Sequence, residues 1–168
     1  MTLASLRTSL ESIQKGLAEG RYAKDCLSSR EQEIMSFQYQ QLFDGKQSNG
    51  EDIRPYYSED LKPMGYFHTK QTAANYAAWK ESGISYPFRA NRNPDAPNLY
   101  IDGTFHSELG VEFGEEALTI KGMTQYATGI VAKYGLQTFG LSAQSWGEML
   151  NERGVAEEIL TKIIEDIK

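Results

Sequence analysis

The sequence PNLYIDGTFHSELGVEF, residues 97–113, decides the predicted fold. Its first part, Leu99 to Ile101, is an apolar segment typical of a short strand, and the Asp102-Gly103 pair that follows is a turn signal. Phe105 and Leu109 stand four residues apart, as neighbours on one turn of a helix do. The stretch therefore predicts a corner at which the chain enters a small sheet.

Five residues of this stretch are predicted to build the structural corner. Gly103 permits the turn, Phe105 and Leu109 anchor the corner in the core, and Thr104 or Ser107 satisfies exposed backbone donors. A valine at position 103 should therefore unfold or misassemble the protein.

Alternating residues after the corner predict a β-hairpin. Val111 and Phe113 flank Glu112, and Leu118 and Ile120 flank Thr119, which is the pattern of two half-buried strands. Because helical patterns precede and follow this hairpin, we predict an α+β fold: a small antiparallel sheet flanked by helices, with extended loops. Residues 1–168 are expected to form one domain.

The clearest helical pattern lies within residues 1–20. Its apolar residues recur at alternating steps of three and four, which places them on one narrow stripe of a helix. The stripe consists of Leu3, Leu6, Leu10, Ile13 and Leu17, and Gly16 and Gly20 are expected to end the helix. Two interpretations stay open: the stripe packs on the chain's own core, or it packs between subunits.

Further helices are predicted over residues 28–43, 69–82, around Tyr126 to Tyr134, and over residues 142–168. Ser28 and Ser29, Thr69 and Ser142 are the expected N-caps, and Gly154 is a weak point in the last segment. In that segment Leu160 and Ile164 are expected to widen the packing face. Residues 44–67 and 84–97, which are rich in turn signals or proline, are predicted to project as loops.

Composition restricts the class of function. A net charge of −6 argues against nucleic acid as the main partner, because phosphate binding depends on clustered Lys and Arg. The single cysteine, Cys26, cannot form an intramolecular bridge, and no apolar run reaches membrane-spanning length, so we expect folding in a reducing cytoplasm without membrane contact. Ten tyrosines favour a partner-binding protein, since tyrosine is enriched at interfaces.

Candidate catalytic residues occur only in the corner. His106, Ser107 and Asp102 contain the residue types of a nucleophile, a base and an orienting acid, but no Gly-x-Ser-x-Gly elbow accompanies them. One cysteine and two histidines without ligand spacing predict no metal site, and no glycine-rich phosphate loop predicts a cofactor. We therefore expect no enzyme. A small cytoplasmic hydrolase using these three residues, or a soluble adaptor that binds a host protein through residues 3–17, is kept as the alternative.

Three patches, in chain order, resemble a known family. The first is Gln41–Lys46 with Ser48–Tyr56, the second is Asn98–Leu109, and the third is Lys133–Gly135 with Phe139–Ser142 before an amphipathic closing helix. Together they are similar to the neck and tail-completion (virion-morphogenesis) proteins of phages of Bacteroidetes, the connector ring proteins of crAss-like phages included. The chain departs from that pattern at Asp102-Gly103, where many relatives carry Thr-Gly.

The resemblance implies a tail-completion-like fold and a structural role in the virion. The subunits would form a ring between portal and tail, twelve-fold or alternatively six-fold, assembled in the host cytoplasm. Its neighbours would be a portal or adaptor ring and tail proteins, and DNA would pass through without specific binding. The candidate interface residues are Leu3, Leu6, Leu10, Tyr56, Tyr57, Arg89 and Arg92.

Overall fold

The computed structural model describes residues 3–56, 69–82, 93, 95–100, 103–114, 117–123 and 125–167. Within these residues the chain is mostly helical with one two-stranded antiparallel sheet, which confirms the predicted α+β class. The elements are α1 (Leu3–Ala18), α2 (Arg21–Ser28), α3 (Glu31–Phe43), α4 (Lys70–Glu81), α5 (Thr104–Ser107), β1 (Leu109–Phe113), β2 (Leu118–Gly122), α6 (Gln125–Tyr134), a 3₁₀ turn (Leu136–Thr138), α7 (Ala143–Gly147), a π-helical turn (Glu148–Glu152) and α8 (Val155–Glu165).

Gly16 does not end the first helix, contrary to the prediction. α1 continues through it to Ala18, and the chain turns at Gly20, whose φ of 65° lies in the left-handed region that favours glycine. Gly16 instead allows α2 to approach α1, because a Cβ at this position would lie 2.9 Å from atoms of both Arg21 and Tyr22.

The predicted helix over residues 28–43 begins later than expected, and a separate helix precedes it. Ser28 and Ser29 do not cap α3. Their hydroxyls donate to the carbonyl oxygens of Asp25 at 3.2 Å and Cys26 at 2.8 Å, and so close α2. Serine offers the backbone this local alternative at either end of a helix, so its position alone did not distinguish a start from a stop.

The main core lies around α3, α2 and α8. Ile34 and Leu42 of α3, Cys26 of α2, Met149 and Val155 are fully buried. Burying each aliphatic side chain of this size stabilises the fold by about 1.5–3 kcal/mol. Since α2 packs on α8, the two ends of the chain share this core.

Two buried glutamines of α3 hold residues 138–142 against the core. Gln38 donates to the carbonyl oxygen of Thr138 at 3.1 Å and accepts from the Gly140 N–H at 2.8 Å. Gln41 donates to the Gly140 carbonyl oxygen at 2.9 Å and accepts from the Ser142 N–H at 2.8 Å. The amide side chains thus satisfy a backbone segment that has no strand partner here.

The hairpin has the predicted strands. β1 and β2 pair antiparallel, with Val111 opposite Ile120 and Phe113 opposite Leu118. On the outer face, Lys121 forms an ion pair with Glu112 across the strands.

Residues 44–56 were predicted to project, and this is wrong for most of them. Lys46 and Asp52 form an antiparallel bridge with an ion pair of 2.7 Å, and Ile53 beyond it is fully buried. Gln47 is also buried and donates to the Tyr134 carbonyl oxygen at 2.6 Å. The tip at residues 49–51 and Arg54 are exposed and the rest is buried or half-buried, so most of the segment is a packed turn. Residues 57–67 lie outside the described part of the chain.

The predicted strand Leu99 to Ile101 is not formed in the part that the structure describes. Leu99 has a φ of 55°, which a strand does not allow, and residues 97–100 join no ladder. Ala96 and Pro97 are buried, so the end of the predicted loop 84–97 does not project. Residues 84–92 and 94, and Ile101, lie outside the described residues.

The predicted C-terminal helices are present. The Ser142 hydroxyl accepts from the Ser145 N–H at 3.2 Å and caps α7, and Gly154, with a φ of 72°, separates the π-helical turn from α8. Thr69 caps α4 through a reciprocal pair with Thr72. The polar groups predicted as caps at these two sites therefore satisfy backbone donors as expected.

Candidate functional site

The corner places α5 directly before β1. Gly103, with a φ of 91°, begins α5, and the side chains of Phe105 and Leu109 are buried in the core. A Cβ on Gly103 would lie 2.6 Å from the Tyr100 hydroxyl oxygen. Both the backbone conformation and the lack of space therefore require glycine here.

His106 lies inside a cluster of aromatic rings rather than in an open cleft. Its ring stacks on Phe43 with a centroid distance of 5.2 Å and an interplanar angle of 8°. The rings of Tyr100, Phe105 and Tyr39 surround it at 5.0, 5.4 and 6.3 Å. Only 5% of the His106 surface is exposed.

Burial keeps His106 neutral. Desolvation, followed by the positive charge of Lys80, lowers the pKa of His106 to about 4, against a smaller opposing effect of the Asn98 backbone. Both ring nitrogens are buried without a hydrogen-bond partner of normal geometry. The side chain therefore acts in this environment as an aromatic packing residue.

Ser107 is not activated by His106 in this arrangement. The Ser107 hydroxyl donates to the Thr104 carbonyl oxygen at 3.0 Å, and Ser107 is exposed while His106 is buried. Ser107 thus satisfies a backbone acceptor, whereas a donor was predicted. Asp102, the third residue of the hydrolase alternative, lies outside the described residues. A nucleophile hydrogen-bonded to its base is absent from the described part of the corner.

Lys80 of α4 reaches the same region from the buried face of that helix, which it shares with Ala73 and Ala77. It is 1% exposed, and its ammonium group donates to Asn98 Oδ1 at 2.6 Å and to the Tyr100 carbonyl oxygen. The rings of Tyr76 and Tyr100 lie 5.5 and 5.9 Å from the same nitrogen. Together these contacts hold α4 against residues 98–100, which precede the corner.

The described candidate interface residues differ in burial. Leu10 is 52% exposed and Leu6 is half-buried, whereas Tyr56, expected at a contact surface, is buried against Ala77. Tyr57, Arg89 and Arg92 and the side chain of Leu3 lie outside the described residues.

Two of the four described side chains of the predicted α1 stripe are exposed. Ile13 is buried, but Leu10 and Leu17, seven residues apart, are 52% and 55% exposed. On α8, Leu160 and Ile164 are 59% and 53% exposed, so they do not widen the packing face as predicted. They lie about 100° around the helix from Ile159 and Ile163, and this rotation was the available sign of a second face.

No protein-family model, curated protein or solved structure matches this chain. In the described residues no group of three or more His, Cys, Asp or Glu side chains is placed to hold a metal ion. Nor does any described helix combine the length and apolarity that crossing a membrane requires.

Proposed function

We propose that this chain is a structural subunit that assembles with copies of itself into a ring in the neck of a phage virion, between portal and tail. The exposed leucines of α1 support the assembly, and the three sequence patches that resemble neck and tail-completion proteins support its place in the virion. The expected ring is twelve-fold, with six-fold symmetry as the alternative.

The uncovered stripe of α1 is the observation that carries the proposal. Leu10 and Leu17 lie on one side of the helix, and each contributes about 1.5–3 kcal/mol when it leaves water completely. Exposed leucines repeated along one helix face supply apolar surface that a protein contact would bury.

α8 provides a second and different apolar face, at Leu160 and Ile164. A ring closes when one patch of a subunit meets a different patch of the next copy. We place α1 on one side of the subunit contact and α8 on the other.

The net charge of −6 is compatible with a passage for DNA. An acidic surface does not gain from counterion release, so it does not retain DNA that moves through the ring.

The test compares the oligomeric state of three proteins by native mass spectrometry and electron microscopy. Wild type is expected to form rings. Leu10→Glu combined with Leu17→Glu should give monomers, because two carboxylates in the contact must be desolvated. Ser12→Glu is the matched control, since Ser12 is exposed on the opposite side of α1 and should leave the rings intact.

Wild-type protein that stays monomeric at several hundred micromolar, and still binds a host protein through α1, would replace the ring with the adaptor alternative. Rings that survive the double substitution would show that α1 is not the contact. The hydrolase alternative receives no support from the described geometry at His106 and Ser107. Loss of a hydrolytic activity in His106→Ala, with folding retained, would revive it.

A further inference from the structure

Tyr100 joins α4 to α3 and α5. Its ring lies 5.0 Å from the His106 ring and 6.0 Å from the Phe43 ring. Its carbonyl oxygen accepts hydrogen bonds from the Tyr76 hydroxyl at 2.9 Å and from the Lys80 ammonium group, and both donors belong to α4. One residue therefore contacts both parts of the molecule.

α4 lies outside the main core in the part of the chain that the structure describes. Its buried Ala77 and half-buried Tyr76 pack with Tyr56 in a second, smaller cluster, whereas the described residues of the main core cluster include none from α4. Lys80 adds a hydrogen bond of 2.6 Å to Asn98 Oδ1. Because α4 packs outside the main core, it can detach while that core stays folded.

Leu99, directly before Tyr100, has a strained backbone. Its φ of 55° lies in the left-handed region, where the Cβ of an L-residue is crowded. The surrounding contacts must hold such a residue in place. A return of Leu99 to negative φ would redirect the chain at Tyr100, so relief of this strain and departure of the Tyr100 ring from His106 occur together.

The surroundings of His106 favour its neutral form. The described groups that face its ring come from several parts of the chain: Tyr39 and Phe43 of α3, Lys80 of α4, Asn98 and Tyr100 before the corner, and Phe105 of α5 itself. Burial raises the pKa of Tyr39, so this hydroxyl stays neutral at and below pH 7, and the charge in the set is that of Lys80. A proton on His106 would add a second buried cation to a cluster in which neither ring nitrogen has a hydrogen-bond partner of normal geometry.

We propose that acid releases α4 together with Tyr100 from α3 and α5, and that protonation of His106 drives the release. In the released form, water reaches the imidazolium and the Lys80 ammonium group separates from it, so both charges regain hydration. The main core around Ile34 and Leu42 stays folded. The fold thus contains a pH-sensitive joint, which is independent of the ring contacts at α1 and α8.

The direction follows from the pKa of His106 in the two forms. The pKa is about 4 in the closed form and returns towards the ordinary 6.5 in the released form. The released form therefore binds the proton more tightly, and release becomes more favourable as the pH falls below 6.5. Between pH 7 and pH 5 the opening equilibrium should shift about twentyfold towards the released form.

Hydrogen exchange followed by mass spectrometry on the full chain tests the proposal, since peptides that cover α4 and α3 are compared in the same sample. Exchange is measured at pH 7 and pH 5 and corrected for the intrinsic exchange rate at each pH. In the wild type, the protection of α4 should fall about twentyfold from pH 7 to pH 5. α4 should be less protected than α3 at both pH values. Urea below the unfolding transition should accelerate exchange in α3 more than in α4, because release of one helix exposes less surface than unfolding of the core.

His106→Phe keeps an aromatic ring in the cluster but cannot titrate, so the protection of its α4 should stay within about twofold between the two pH values. His68→Phe is the matched control, since His68 is the other histidine of the chain, and it should keep the full pH dependence. If His106→Phe does not fold, His106→Gln takes its place. The proposal is overturned if the protection of α4 in the wild type does not change with pH, or if it falls equally in the variant that lacks the titrating group. It is also overturned if α4 and α3 share one protection and one urea dependence, because α4 would then open only with the whole chain.

Discussion

Replacing Gly103 by alanine tests the packing of the corner. Two effects oppose the new methyl group. The first is the φ of 91°, which costs an L-residue roughly 1–2 kcal/mol. The second is space, because the methyl carbon would lie 2.6 Å from the Tyr100 hydroxyl oxygen and 3.0 Å from Cζ of that ring.

Moving the Tyr100 ring away from the new methyl group would weaken its aromatic contacts and lower stability. Its ring lies 5.0 Å from the His106 ring and 6.0 Å from the Phe43 ring, and an aromatic contact of this kind contributes about 0.5–1.5 kcal/mol. We therefore expect Gly103→Ala to lower the free energy of unfolding by about 2–3 kcal/mol. For a chain of this length, that loss lowers the Tm by roughly 4–12 °C.

Gly50→Ala provides the matched control. Gly50 has a nearly equal φ of 85°, but a Cβ there meets no atom within 4 Å. The two variants share the backbone strain and the reduced entropy of the unfolded chain, so their difference isolates the contact with Tyr100. Urea unfolding followed by circular dichroism should show Gly103→Ala to be the less stable variant by about 1 kcal/mol, with unchanged m-values.

Equal stability of the two alanine variants would refute the close packing of Tyr100 on Gly103. A double-mutant cycle locates the effect: Tyr100→Phe removes the nearest atom, so the double variant Gly103→Ala with Tyr100→Phe should lose less than the sum of the single losses. Strict additivity would place the cost elsewhere in the corner.

Three further outcomes follow from named contacts. The pKa of His106 is about 4 in the folded chain against 6.5 ordinarily, so the stability that neutral His106 contributes is complete above pH 6.5 and is lost, by about 3 kcal/mol, as the pH falls towards 4. The free energy of unfolding of the wild type should therefore fall faster over that range than that of His106→Phe, and parallel pH curves would contradict this. Tyr56→Ala should lower the free energy of unfolding in urea by about 3 kcal/mol or more, without changing the oligomeric state measured by light scattering, because Tyr56 is a core residue. Dissociation of an otherwise stable protein would show that Tyr56 lies at a subunit contact instead. Arg30→Ala removes ion pairs with Glu33 and Glu158 that are partly exposed, so the loss should stay below about 1 kcal/mol and shrink in 1 M salt; a larger loss that salt leaves unchanged would show a different role.

The sequence predicted those elements whose periodicity agrees with their burial. Val111 and Phe113 alternate with Glu112 because one face of the hairpin is buried, and the observed register follows that alternation. Thr69 and Ser142 were predicted correctly as N-caps because a hydroxyl directly before a helix commonly accepts a hydrogen bond from a backbone N–H of the first turn.

Other features depend on contacts between distant residues and left no local pattern. The turn residues within 44–56 predicted a projecting loop. Ile53 and Gln47 are nevertheless buried, because α3 and Tyr134 lie next to them in space. The helical period places Lys80 on the packing face of α4 with Ala73 and Ala77, but its partners Asn98 and Tyr100 are distant in sequence. Three-dimensional packing decided these cases against local propensity.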